Sequence, residues 1–271
     1  MIERATRFGH LVFDRDAIVR AALRAYVESF VAQLPNCLGV QASDGAMWEG
    51  DLQRGAIYND DGCGAYEVVA WTEAGLVGLA YELGWGPLEQ LGLSVDAVTG
   101  GPDDVRGALP GLPSDLEPAF VMAAGMLGVG PEHGQLDAGV GFWLHGDRVA
   151  GTMFDDSIPC GAQRLAAWGL LHDGRLLPLS SSAACSPRPG GIVIDEARPQ
   201  DAPLHAIIDA VTDRALAGPT EFTTDELATL LVRPPDPETL LYAQRMLQQV
   251  GITWPGSPEL PEPSRPLNQR P

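Results

Sequence analysis

The chain has 271 residues, 45% of them hydrophobic, with a mean hydropathy near zero, so it can bury a globular core without metals or disulfides. Its 36 acids against 17 bases leave a formal net charge of −19, which excludes the basic stripe needed for nonspecific binding to nucleic acid or anionic membranes. Every one of those bases is arginine, so a P-loop, a Schiff-base enzyme and a protein kinase, each of which needs a lysine, are excluded too.

The first fifteen residues carry Glu3, Arg4, Arg7, His10, Asp14 and Arg15 and hold no continuous apolar stretch of signal-peptide length, so a cytoplasmic location is expected. Asp14 or Asp16 can cap a helix running from about Ala17 to Leu34. Its Val19, Leu23, Tyr26, Val27, Phe30 and Leu34 recur at three- and four-residue spacing. Arg20, Arg24 and Glu28 in the same helix place it in a protein core rather than a bilayer. Pro35-Asn36 ends it, and Gly39 to Asp51, with Trp48, reads as a loop or a short strand.

Three short runs, Ala56 to Asn59, Ala65 to Thr72 and Leu76 to Leu83, are separated by Asp60-Asp61-Gly62-Cys63-Gly64 and Glu73-Ala74-Gly75. They predict an antiparallel meander. In the middle run Tyr66, Val68 and Ala70 fall on one face and Glu67, Val69 and Trp71 on the other, so this strand is expected to be central and covered by helices. Gly84 to Pro113 is rich in Gly and Pro and reads as an extended loop with one short helix, Leu88 to Val95. Pro118 to about Leu127 is an apolar helix started by Ser114 or Glu117.

Val140 to His145 and Arg148 to Phe154, joined by Gly146-Asp147, predict a second hairpin. A helix over Ala162 to His172 and a strand over Leu176 to Leu179 follow. Ser180 to Gly191, with three consecutive serines and two prolines, marks an internal boundary. Beyond it lie helices over about Pro203 to Leu216, Asp225 to Leu231 and Pro237 to Val250, the last with Asp236 as cap, Pro237 in the first turn and Gly251 after the end.

The expected architecture is therefore α+β. Residues 1–185 form a central antiparallel sheet, meander plus hairpin, covered by helices. Residues 186–200 are a linker, 201–254 a helical C-terminal extension and 255–271 a disordered proline-rich tail. Glu221-Phe-Thr-Thr-Asp-Glu-Leu and the helix after it resemble part of a winged helix, but Asp201 to Pro255 holds eight acids and three bases, the wrong sign for reading DNA.

Candidate chemistry is sparse. Cys37, Cys63, Cys160 and Cys185 are scattered without a Cys-x-x-Cys pair, which points to reduced thiols rather than disulfides or zinc. Cys63 between glycines could act as a nucleophile with His133 or His145, yet Asp60 and Asp61 beside it would raise a thiol pKa, and a polar turn is the simpler reading. Asp60, Asp61, Asp147, Asp155 and Asp156 with His145 could supply oxygen and nitrogen ligands to a divalent cation, but no metal-binding spacing joins them. Gly128-Val-Gly130 follows a predicted helix instead of a strand, the wrong context for a dinucleotide loop, and no Gly-x-Ser-x-Gly elbow is present. No cofactor is implied.

Charge asymmetry is the most informative feature. Between Asp51 and Val140 there are fourteen acids and two bases, Arg54 and Arg106, so one third of the chain carries −12 of the −19. Tyr58, Tyr66, Trp71, Tyr81 and Trp85 lie in the same stretch. A field of one sign raises the encounter rate with the opposite sign, so a basic protein partner is expected, with neither nucleic acid nor membrane as ligand.

Residues 56 to 83, particularly Ala70-Trp71-Thr72-Glu73-Ala74-Gly75, together with the order of helix, antiparallel strands, short helices and final helix, resemble bacterial immunity proteins of the SUKH group, over about residues 10 to 180. The resemblance implies a cytosolic protein that binds a toxin domain, possibly a nuclease, and occludes its active site. Asp60, Asp61, Glu67, Trp71, Glu73, Tyr81, Glu82, Trp85 and Glu89 would then form the partner-binding surface, aromatic rings as anchors and carboxylates steering. Trp71 and Tyr81 have a competing reading as core. Two other functions fit the same residues: a hydrolase using Cys63 or a carboxylate-bound metal, and a structural component of a larger assembly docked through the C-terminal helices. Oligomeric state is not readable from the sequence.

Overall fold

Alternation of apolar residues with period two builds one sheet, and helices close both of its faces. A computed structural model describes residues 14–31, 34, 46–60, 65–82, 102–127, 140–152, 187–188, 191–192, 202–231 and 235–257. The expected helix over Leu88 to Val95, the helix over Ala162 to His172, the strand over Leu176 to Leu179 and the tail beyond Ser257 lie outside these residues.

Helix α1 spans Arg15–Val31, with the Asp14 carboxylate accepting from the backbone N–H of Ala17 at 2.8 Å. The sheet has six strands, β1 Met47–Gly50, β2 Gly55–Asp60, β3 Ala65–Thr72, β4 Gly75–Glu82, β5 Val140–His145 and β6 Arg148–Ala150. They lie in sequence order and every neighbouring pair is antiparallel. The meander and the later hairpin are therefore one continuous sheet, because β4 pairs with β5 across the intervening helical segment. Trp48 sits in strand β1, and the part of its segment before Ala46 lies outside the described residues.

Between β4 and β5 come 3-10 helices over Pro102–Ala108 and Ser114–Leu116 and then α2, Glu117–Leu127. A two-residue ladder, β7 Pro187–Arg188 with β8 Gly191–Ile192, falls in the segment expected as a linker. The C-terminal part comprises α3 Ala202–Ala217, β9 Thr220–Glu221, α4 Thr224–Leu230, α5 Pro237–Gln249 and β10 Ile252–Thr253, with β9 and β10 parallel. Thr223 and Glu226 form a capping box at the start of α4. Asp236 accepts from the N–H groups of Glu238 and Thr239 at the start of α5.

The two sheet faces bury different helices. Val68, Ala70, Val77, Leu79 and Trp143 point to one side and pack with Phe120, Ala123 and Leu127 of α2 and with Val105 and Leu109. Val69, Trp71, Leu76, Phe142 and Leu144 point to the other and share a cluster with α1 and with Ile208, Val211, Phe222, Ala243, Leu247 and Trp254 of the C-terminal part. Gly78, paired with Phe142, has no side chain because the Phe142 ring covers its Cα; a Cβ there would land on the ring.

Helix α1 is enclosed rather than one-sided. Ile18, Val19, Leu23, Tyr26, Val27 and Phe30 are buried, and so are Arg24 and Glu28. A chain of rings runs outward from the sheet through it: Trp71 to Trp48 at 5.0 Å, Trp48 to Tyr26 at 5.5 Å, Tyr26 to Phe30 at 4.8 Å and Phe30 to Tyr242 of α5 at 5.6 Å. The Tyr26 hydroxyl donates to the Met246 carbonyl at 3.2 Å and lies at the same distance from Gln249 Oε1. Burial pushes that phenol far above its ordinary pKa, so it stays a donor. The helices of residues 201–254 are thus joined to the rest through α1.

Candidate functional site

Strand register decides which of the expected contact residues are neighbours. Asp60 pairs with Tyr66 and Tyr66 with Tyr81, so these three occupy one row across β2, β3 and β4, and Glu82 pairs with Ala65 in the row beside it. At the other end of β3, Trp71 pairs with Gly55 and Leu76, and Glu73 occupies the turn to β4. Tyr66 and Trp71 are five positions apart, about 17 Å along a strand. The nine expected residues therefore do not share one patch. Asp61, Trp85 and Glu89 lie outside the described residues, as does Cys63.

Of the three whose burial is described, Glu67, Trp71 and Glu73, two are interior. Trp71 is fully buried between the sheet and α1, and its indole N–H donates to the Asp51 carbonyl at 2.9 Å. Glu67, paired with Asn59 and Ala80, is fully buried on the same side of β3. Neither offers a side chain to a partner: the period of two that puts Val69 inside puts Glu67 and Trp71 there as well. Glu73 is exposed.

Glu73 belongs to a row of acids that the meander creates. Alternate turns of a meander fall at one end of the sheet, so the β1–β2, β3–β4 and β5–β6 turns lie side by side, about 10 Å apart from one to the next. Each carries an exposed acid, Asp51, Glu73 and Asp147 respectively. Backbone N–H groups of Arg54 and Gln53 bond the Asp51 carboxylate and hold it below the ordinary carboxylate range. The N-terminus of α1 reaches the same end, because Arg15 donates to the carbonyls of Thr72 at 2.7 Å, Gln53 at 2.9 Å and Leu52 at 3.1 Å. Asp14 and Asp16, both exposed, flank it. Among the described residues Arg54 and Arg148 are exposed bases at this end, and Arg148 lies over the Trp143 ring at 5.4 Å.

His145, at the end of β5, is also here. Its Nε2 stands 3.1 Å from Asp115 Oδ2, while the Ser114 hydroxyl is 3.4 Å from the other oxygen of that carboxylate. The backbone N–H of Asp115 itself and then the His145 contact hold the Asp115 carboxyl below its usual range. Serine and histidine both address the carboxylate rather than each other, so the trio is not wired as a nucleophile with its base. Among the described residues no group of three or more His, Cys, Asp or Glu side chains could hold a metal ion. No described helix is long and apolar enough to cross a membrane.

A second polar cluster, in the seam between α1 and α3, went unnoticed in the sequence. Arg24 donates to Asp209 at 2.7 Å and to Glu28, and Arg20 donates to Asp213 at 2.8 Å. Its signal was an arginine and a glutamate four apart on the helix that also carries Arg20, but only the partner helix shows that they are enclosed.

No family model, curated protein or solved structure matches this chain. The reading of its function therefore stands on charge and geometry alone.

Proposed function

We propose that this protein is an acidic binding protein that neutralises a basic protein partner, most simply a toxin domain held in check in the manner of the immunity proteins it resembles. The observation that carries this reading is the charge asymmetry, fourteen acids to two bases between Asp51 and Val140. A surface of one sign accelerates encounter with a cationic groove and rejects anionic ligands. The row Asp51, Glu73 and Asp147 at one end of the sheet supports it by presenting exposed carboxylates side by side on short turns, the Asp51 carboxylate fixed by the N–H groups of Gln53 and Arg54.

The contact set follows burial. Glu73, with Asp51 and Asp147 beside it, replaces Glu67 and Trp71 as the described residues assigned to the partner. Asp60, Tyr81 and Glu82 remain assigned at the opposite end of the sheet; Asp61, Trp85 and Glu89, outside the described residues, keep the assignment made from the sequence.

The test is calorimetric titration with the product of the adjacent gene at low and at high salt. Tight binding that weakens with salt and with Glu73→Arg is expected. Binding that is indifferent to salt, or no binding, overturns the proposal.

A further inference from the structure

Arg24 and Glu28 sit one turn apart on α1, 4% and 1% exposed, facing α3. Arg24 divides its donors among three acceptors: Nε to Asp209, Nη1 to Glu28 Oε2, and Nη2 toward His205, whose Nδ1 is 3.1 Å away. A guanidinium has donors only, so Nδ1 must accept, which makes the His205 ring neutral with its proton on Nε2. The second Glu28 oxygen, Oε1, is buried, has no hydrogen-bond partner among the described residues, and lies 3.9 Å from the same Nδ1.

One nitrogen therefore stands between a donor it accepts from and an acceptor it does not yet reach. Protonating Nδ1 inverts its role. It can no longer accept from Arg24, and the nearest buried atom able to receive its hydrogen is Glu28 Oε1. We propose that His205 is a two-state hydrogen-bond switch in the α1–α3 seam, bonded to Arg24 when neutral and to Glu28 when protonated.

The surrounding charges favour such an exchange without undocking. Arg20 and Arg24 face three carboxylates, Glu28, Asp209 and Asp213, so the seam has room for one more positive charge. The Arg24 bonds to Asp209 and Glu28 do not involve the imidazole and persist in both states. Elsewhere on α3, Arg214 and Glu226 of α4 pair with each other. His205 is 23% exposed, so its proton exchanges with solvent directly. Protonation of the ring thereby exchanges one hydrogen bond in the α1–α3 seam, and spectra taken from basic to acid pH read that exchange.

Nuclear magnetic resonance of the full chain tests this. The His205 ring nitrogens, the Arg24 guanidinium and the Glu28 carboxyl carbon are followed from basic to acid pH. Expected are an Nε2–H tautomer at the basic end and a loss of protection at the Arg24 Nη hydrogens on acidification. The Glu28 carbon should shift with the same midpoint as the ring. His205→Gln, which keeps an acceptor but does not titrate, abolishes both responses. An Nδ1–H tautomer at the basic end, Arg24 and Glu28 signals that ignore the ring titration, or responses that survive His205→Gln would each overturn the proposal, and the first two readings need no variant.

Discussion

The indole N–H of Trp71, near the end of the central strand β3, donates to the carbonyl of Asp51 at 2.9 Å and so ties β3 to the β1–β2 turn. Trp71 was expected at a partner-binding surface, and Asp51 opens the acidic stretch. The bond separates their roles, because Trp71 holds the turn from inside while the Asp51 side chain remains outside.

Trp71→Ala should therefore behave as a core deletion, costing about 3–5 kcal/mol in urea denaturation. Glu73→Arg, two residues on and exposed, should change stability by less than about 0.5 kcal/mol. Its effect should appear in partner affinity instead. A tryptophan variant as stable as the parent would place that side chain outside the core.

Arg24→Met leaves Glu28 buried without its cation, and the expected loss is about 3–5 kcal/mol. Arg24→Met with Glu28→Leu should recover most of it, because two apolar side chains of similar volume suit an enclosed seam. Urea midpoints for the single and double variants decide this. Equal losses in both would show that the seam depends on something other than the pair.

Gly78→Ala puts a methyl group onto the Phe142 ring, and overpacking of this kind costs about 1–3 kcal/mol. Phe142→Leu in the same chain should relieve part of the clash. Thermal denaturation of the two variants is the measurement.

Acid sensitivity has an assignable contributor. Burial pushes the Glu226 carboxyl up, but hydrogen bonds from Arg214 and the Thr223 N–H, with the Arg214 charge, outweigh it and hold the group below its ordinary value of 4.5. A carboxyl depressed in the folded state contributes stability that is complete above its unfolded pKa and is lost as pH falls through the folded one. Glu226→Gln should be less stable than the parent at pH 7, and the gap should narrow below about pH 4.5. Urea midpoints from neutral to acid pH measure it, and a gap that stays constant would remove Glu226 from the acid limb.

Most of the sheet was legible in the chain. Ala65 to Thr72 and Val140 to His145 were bounded correctly, because turn residues punctuate a period of two. The C-terminal helices came within two residues of their observed ends, since Thr223, Asp236, Pro237 and Gly251 are local signals that need no partner. The site was less legible. Tyr66 and Glu67 follow each other in sequence, yet whether a polar residue on the inward face of a strand meets solvent or a helix depends on what covers that face.

The sequence by itself determined the element types, the alternation that sends Val68 and Val69 to opposite faces, the excess of acid and the absence of lysine, because each is a property of neighbours along the chain or of composition. Only the tertiary structure decided that β4 is the strand that pairs with β5, that Asp51, Glu73 and Asp147 line one end of the sheet, and that Arg24 and Glu28 lie enclosed against Asp209 and His205. Those relations join residues as many as 185 positions apart. Burial and charge pairing at that separation are set by which surfaces pack together, and packing leaves no periodic trace in either partner alone.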